Sequence, residues 1–200
     1  MTAEPTIFVV DDDAAVGRAL QSAGKLLGHR VVAFAAAAEF LAAYGGEPGC
    51  LVLDIRMPGM TGLELQRKLS DDGVAIPVVM ISGHADVRIA VEAMTLGAVS
   101  LLEKPFRLDE LLGHLRRAIE KDRADRESQS RSAAADARLA ALTPKEREVL
   151  QLIAEGKTNR EMADELGLSV RAVEDRRARL MRKVNVRSVA ELIKILAEGK

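Results

Sequence analysis

One cysteine, one tyrosine, four phenylalanines and no tryptophan are spread over 200 residues, so aromatic side chains make up only 2% of the chain. The single thiol, Cys50, can form no internal disulfide and belongs to no Cys/His zinc pattern, which points to a reducing compartment. So few rings offer no platform for stacking unpaired bases, which disfavours single strands or RNA as the main target. No apolar run approaches the roughly 20 residues of a membrane helix. The N-terminus, MTAEPTIFVVDDD, places acids where an export signal carries a basic flank and a long apolar stretch. A cytoplasmic protein with no membrane partner is expected.

What is present is the composition of a folded protein, 48% hydrophobic and 30% charged, at a length that accommodates two compact units. The net charge of -1 conceals an asymmetry. Residues 1–120 carry 11 lysines and arginines against 16 aspartates and glutamates, whereas residues 121–200 carry 18 against 14. An acidic first part and a basic second part predict different partners, with a polyanion suited to the second.

Short aliphatic runs recur in the first part, at Ile7–Val10, Val31–Phe34, Leu51–Leu53, Val78–Ile81 and Ser100–Leu102, and read as buried strands. Amphipathic segments separate them, with helix signals such as Thr61 followed by Glu64, and Asp86 before Val87–Leu96 with Gly97 as a stop. The alternation predicts a doubly wound α/β domain over residues 1–121, with a five-stranded parallel sheet covered by helices on both faces. Residues 122–140 are poor in apolar side chains. They are expected to be a charged linker, either a helical continuation of the helix beginning near Arg107 or a flexible tether, with alanine and mixed charges favouring the helix. Residues 141–200 contain three capping boxes, Thr143/Glu146, Thr158/Glu161 and Ser188/Glu191, and a further N-cap at Ser169 after Gly167. They predict a small all-α unit of four helices with a tight turn between the second and third, a helix-turn-helix.

Polar residues of the first domain gather where strands end: Asp11, Asp12 and Asp13 after the first, Asp54 at the end of the third, Ser82 at the end of the fourth, and Lys104-Pro105 after the fifth. In an open parallel sheet these ends converge on one edge. Crowded carboxylates repel one another unless a cation sits among them, and a Mg²⁺ (or Mn²⁺) ion with a phosphoryl group completes such a set. Asp54 is then a nucleophile toward phosphorus, with Lys104 and Ser82 neutralising and hydrogen-bonding the transferred group. A lone Asp triplet would more often be a solvated loop; its combination with Asp54, Ser82 and Lys104 carries the reading. His84 reads as a solvent-exposed loop residue, Arg56 as a rim side chain, and Cys50 as a small core residue.

The segments VVDDD, LVLDIRMPGMTGLEL, VVMISGHAD and EKPF resemble the flavodoxin-like receiver domains of two-component response regulators over residues 5–121. The resemblance implies that Asp54 is the phospho-acceptor and that Asp12 and Asp54 ligate the metal with the backbone carbonyl of Arg56. It further implies that Asp11 supports the metal through water, that Ser82 and Lys104 bind phosphoryl oxygens, and that the Lys104–Pro105 bond is cis. Asp13 more readily orients the turn than binds metal. Such receivers often carry an aromatic switch residue three positions before the lysine. Here that position is Leu101, which has no ring to swing, so the switch would rest more on Ser82 and the 86–96 helix.

The tail, LTPKEREVLQLIAEGKTNREMADELGLSVRAVEDRRARLMRKVNVRSVAELIKI, resembles LuxR-type helix-turn-helix domains, and with the receiver this implies the NarL/FixJ subfamily. Val149, Leu150, Ile153, Met162, Ala163, Leu166, Leu168, Val173, Leu180, Met181, Val184, Val189, Leu192 and Ile193 are its expected core. The helix from Val170 to about Val184 bears Arg171, Arg176, Arg177, Arg179, Arg182 and Lys183 against Glu174 and Asp175, and reads as a recognition helix for the major groove. Glu174 and Asp175 are candidates for cytosine amino groups, and Lys157, Thr158 and Asn159 for phosphate contacts. Helix orientation decides which arginine reads bases.

The expected function is a response regulator phosphorylated on Asp54 by a sensor histidine kinase. It is not an enzyme, although it accepts and slowly loses a phosphoryl group on its own aspartate. Phosphorylation would alter interdomain contacts or produce a homodimer through the face 86–96, 100–103 and 107–119. The dimer would bind promoter double-stranded DNA and act on the transcription machinery, with the 188–196 helix as a second dimer surface by resemblance. A phosphatase using aspartate needs a second acid two residues after the nucleophile, where this chain has Arg56. A phosphorylation-independent scaffold is the remaining alternative.

Overall fold

The computed structural model describes residues 4–83 and 87–198; His84 and Asp86, singled out above, lie outside them. The chain divides into two units, Met1–Arg126 and Glu127–Lys200.

The first unit alternates strand and helix: β1 (Thr6–Val10), α1 (Ala14–Leu27), β2 (Arg30–Phe34), α2 (Ala37–Ala43), β3 (Gly49–Asp54), α3 (Gly62–Asp71), β4 (Val78–Ser82), α4 (Val87–Thr95), β5 (Ser100–Glu103) and the first part of α5 (Leu108–Ala140), up to Arg126. The strands are parallel in the order β2-β1-β3-β4-β5. Because successive strand residues point to opposite faces, β3 sends Cys50 and Val52 to one side and Leu51 and Leu53 to the other. The first pair packs with Val16 and Leu20 of α1 and Leu111 and Leu115 of α5. The second packs with Phe40 of α2, Leu65 of α3 and Ala93 of α4. Helices thus cover both faces. The central strands β1, β3 and β4 are buried throughout; contrary to the sequence expectation, β5 at one edge fully buries only Leu102, and β2 at the other fully buries none of its residues. It is an edge strand with only one strand neighbour, and its residues remain exposed or half-exposed.

Gly62 shows how tightly the site end is folded. The chain after β3 turns back so that the Gly62 N–H donates to the Ile55 carbonyl at 3.0 Å. A Cβ there would lie 2.2 Å from the Asp54 carbonyl oxygen, so only glycine lets α3 start against the end of β3. Thr61 then caps α3 with Glu64 in a reciprocal capping box.

The segment expected as a linker is helical, being the continuation of α5, which runs for 33 residues. Its first turn belongs to the first unit rather than to a spacer. Asp122, only 2% exposed, accepts hydrogen bonds from the Gly49 N–H at 2.9 Å and from Arg126 Nε at 2.8 Å. Arg126 in turn donates to the Glu47 carbonyl. The last turns of the helix are not free of a core either, since Leu139 packs into that of the second unit.

The second unit adds α6 (Pro144–Ala154), α7 (Asn159–Leu166), α8 (Val170–Val184) and α9 (Val189–Glu198). Thr143/Glu146 and Thr158/Glu161 form reciprocal capping boxes. The third expected box differs. Ser188 accepts from the Glu191 N–H, but the Glu191 carboxylate accepts from the Arg187 N–H one residue earlier. Gly167 closes α7 in the left-handed conformation, at φ 63°, which makes the tight turn into α8. Val149, Ile153, Met162, Val173, Leu180, Val184 and Leu192 are buried together with Leu142, Leu152 and Val186. Ile193, expected in this core, is 41% exposed. Leu192 takes the inward position on α9, and one residue further the helix has turned by about 100°.

Candidate functional site

Strand register builds the acidic site. Val10 pairs with Leu53, Asp54 with Ile81, and Ser82 with Glu103. The residues immediately after these pairs, Asp11 and Lys104, therefore meet Asp54 at the carboxyl edge of the sheet. Lys104 Nζ donates to Asp54 Oδ1 at 2.7 Å and to Asp11 Oδ2 at 2.8 Å. Asp54 Oδ2 accepts from the Arg56 N–H at 2.8 Å, and Asp11 Oδ1 from the Asp13 N–H at 2.8 Å. Both carboxylates are buried, Asp54 to 5% exposure. Ser82 is fully buried beside them, and its carbonyl accepts from the Lys104 N–H, tying the two strand ends together. The Lys104–Pro105 bond is cis.

Burial raises the Asp11 carboxyl above its ordinary 3.8, more than the hydrogen bonds from Lys104 and Asp13 lower it. Burial also disfavours the Lys104 ammonium, but its bonds to Asp11 and Asp54 outweigh that and hold it above its ordinary 10.5. Two buried carboxylates share one ammonium, so the pair keeps an excess negative charge, with the exposed Asp12 next to it. Among the described residues, no three His, Cys, Asp or Glu side chains already converge on one point. The donors present are all hard oxygens, which suits Mg²⁺ or Mn²⁺ rather than a softer ion.

The other sequence candidates fall into place around this centre. Asp13 caps α1, its side chain accepting from the Ala15 N–H, and so shapes the turn. The Arg56 side chain is exposed at the rim. Leu101 is half-buried against the cluster that contains Ala93 of α4. Cys50 is wholly buried, and burial pushes its thiol up to about 12. Sequence reasoning missed Asp122 and Arg126, whose only local signal is an i,i+4 acid–base pair among many.

In the second unit the candidates separate by face. Val173, Leu180 and Val184 of α8 are buried, which leaves Arg171, Asp175, Ala178 and Arg182, at helical spacing, on the exposed side. Glu174 and Arg179 flank them and are exposed as well. Arg176 and Arg179 line a groove of about 500 Å³ with Thr143 and Lys145 of the α6 start. Lys183 is exposed but engaged across the surface with α6: its Nζ lies 2.9 Å from Glu146 Oε2. That bond and the Thr143 N–H hold the Glu146 carboxyl down to about 2. Arg177 is half-buried and donates to Asn159 Oδ1 on α7. Thr158 is engaged in its own capping box, and Lys157 pairs with Glu165 at 3.6 Å. Among the described residues, no helix is long and apolar enough to cross a membrane.

Residues 7–116 match the response regulator receiver domain, and residues 140–196 match the bacterial regulatory proteins of the luxR family. The chain is 39% identical over 193 residues to the response regulator protein TmoT of Ectopseudomonas mendocina, covering 96% of this chain and 88% of that one. It is also 39% identical over 198 residues to the transcriptional regulatory protein FixJ of Bradyrhizobium diazoefficiens, covering 98% and 96%. The solved structure of response regulator StyR is similar at a TM-score of 0.87 and 38% identity, covering 98% of this chain and 100% of that one. The chain belongs to the response regulators, as a receiver joined to a LuxR-type DNA-binding domain. Its relatives are those of the NarL/FixJ subfamily, and it is a phosphorylated regulator that controls transcription, with a kinase and DNA as partners. Receivers generally bind Mg²⁺ at the acidic pocket, and the hard oxygen donors of this site fit that ion.

Proposed function

We propose that Asp54 is the phospho-acceptor through which a sensor histidine kinase controls the DNA-binding unit. The observation that carries this reading is the Lys104 ammonium, hydrogen-bonded at once to Asp54 and Asp11 on a buried sheet edge. An Asp54 carboxylate oxygen forms a bond to phosphorus as the bond from phosphorus to the donor's histidine nitrogen breaks, and that nitrogen keeps the electron pair. The Arg56 N–H orients the carboxylate from one side, so the attacking oxygen is aimed rather than free. Lys104 and the Ser82 hydroxyl hold the incoming phosphoryl oxygens. Asp12, Asp54 and the Arg56 carbonyl would hold a divalent ion, with Asp11 in support. When bound, Mg²⁺ or Mn²⁺ neutralises charge on the phosphoryl oxygens. The acyl phosphate is lost slowly to water, and no turnover follows.

The output is a homodimer that engages promoter DNA and the transcription machinery. Val87, Val91 and Met94 support a self-association face on α4, β5 and α5. They stand at i, i+4 and i+7 on α4 and are 75%, 60% and 50% exposed. Leu101 lies at the inner side of this face and repacks when Ser82 moves toward the phosphoryl group. Asp54→Asn in the full chain tests the scheme. With labelled acyl phosphate and divalent ion it takes up no label, and the donor no longer strengthens DNA binding. Donor-stimulated binding equal to that of the parent chain would overturn it.

A further inference from the structure

We propose that Asn159 is a positioning residue for base choice: it carries no phosphate contact but holds Glu174 in place for a base edge. The proposal rests on the reading of α8 as the DNA-reading helix.

Asn159 is the first residue of α7, and the capping box of Thr158 and Glu161 fixes that turn. Its amide bridges two residues of α8. Arg177 Nη1 donates to Asn159 Oδ1, and Asn159 Nδ2 donates to Glu174 Oε1 at 3.4 Å. A guanidinium can only donate, so it selects the oxygen end of the amide and leaves the NH₂ end for the carboxylate. Donor and acceptor roles are thus set in sequence from Arg177 through Asn159 to Glu174. Glu174 and Arg177 are three residues apart on α8 and therefore neighbours on its surface. Arg177 lies on the half-buried flank, whereas Glu174 is exposed beside Arg171, Asp175 and Arg182.

An unrestrained carboxylate on such a face would swing away from phosphates, which repel it. Held by the Asn159 amide, it keeps one direction and presents acceptor oxygens where a base edge comes. The base-edge group that satisfies a carboxylate in the major groove is the cytosine amino group. Asn159 and Arg177, both cationic or polar candidates for DNA in the sequence, would then act inside the protein, and the choice of one cytosine-containing base pair would depend on a residue that never touches it.

The test uses the full chain, activated with a phosphodonor, and duplexes in which one half-site is randomised. Relative affinities and the slope of log K against log salt are measured for the parent chain, Asn159→Asp, Glu174→Ala, their double variant and Arg171→Ala. Asn159→Asp keeps a partner for Arg177 and a residue suited to the first helical turn, but turns the donor facing Glu174 into a repelling acceptor. Expected is that Asn159→Asp and Glu174→Ala lose preference at the same base pair by about tenfold, with the salt slope unchanged and the double variant no worse than Glu174→Ala alone. If Glu174→Ala loses that preference and Asn159→Asp does not, the positioning role is wrong while the reading of α8 stands. A uniform loss of affinity with a shallower salt slope in Asn159→Asp would make Asn159 a phosphate contact and overturn the proposal. If Glu174→Ala and Arg171→Ala both leave every base preference intact, the reading of α8 itself fails and the proposal falls with it.

Discussion

Among the described residues, the buried polar side chains Thr6, Asp11, Asp54, Gln66, Ser82 and Asp122 all lie in the unit that ends at Arg126, whereas no charged side chain of the helical unit is buried. The contrast follows from what each unit handles. A carboxylate buried where water is scarce needs an internal counter-charge, which Lys104 supplies to Asp54, and on the proposed scheme that is where attack on phosphorus is best served. Arginines that meet a polyanion work by releasing counterions, so they belong in solvent. Asp122 shows that the first unit uses buried charge for architecture as well. It sits far from Asp54 in the chain and serves to fasten α5 to the start of β3.

The comparison can be broken most directly at Asp122. Replacing it with alanine strands the Gly49 N–H and removes the carboxylate that faces Arg126, and should destabilise the first unit by about 2–3 kcal/mol, less than the roughly 3–5 kcal/mol of a fully buried pair because Arg126 reaches solvent and keeps its bond to the Glu47 carbonyl. Denaturant unfolding of the full chain checks this, with Asp122→Asn retaining more stability because it keeps an acceptor. An unchanged midpoint for the alanine variant would mean that this buried charge does not carry structure. A smaller effect is expected from the displayed charges. Arg182→Ala should leave stability within about 0.5 kcal/mol while reducing the salt slope of DNA binding by about 1, measured by titration at several ionic strengths.

The smallest effect concerns Glu146, whose carboxyl is held below its ordinary 4.5 by Lys183 and the Thr143 N–H. Stability linked to a depressed carboxyl is present above the ordinary value and is lost as pH falls toward about 2. Thermal melts of the helical unit's transition should therefore decline across that window in the parent chain and decline less in Glu146→Gln. Equal declines would show that the α6–α8 tie contributes nothing measurable.

Much of the fold was legible because its signals are local. Thr61/Glu64, Thr143/Glu146 and Thr158/Glu161 act over three residues, and each marks a helix start in the structure. The apolar runs of β1, β3 and β4 declared strands buried on both faces. The run at β2 looked the same, yet its position at the edge of the sheet left it partly exposed, and nothing within the run encodes how many neighbours a strand will have. The acidic residues were legible through the strand ends they occupy, since parallel topology brings such ends together.

The sequence by itself determined the elements, the two-unit plan and the set of polar groups at the sheet edge, because helix caps, apolar periodicity and strand-end chemistry are written within a few residues of one another. Tertiary structure decided the pairings. Lys104 reaches Asp54 across 50 residues, Gly49 reaches Asp122 across 73, and Arg177 reaches Asn159 across 18. It also decided which cations of α8 are left to solvent and which are tied to a neighbouring helix, Lys183 to Glu146 of α6 and Arg177 to Asn159 of α7. Such contacts depend on strand register and on how one helix face settles against the next, and both are set by close packing of the whole unit rather than by any local pattern.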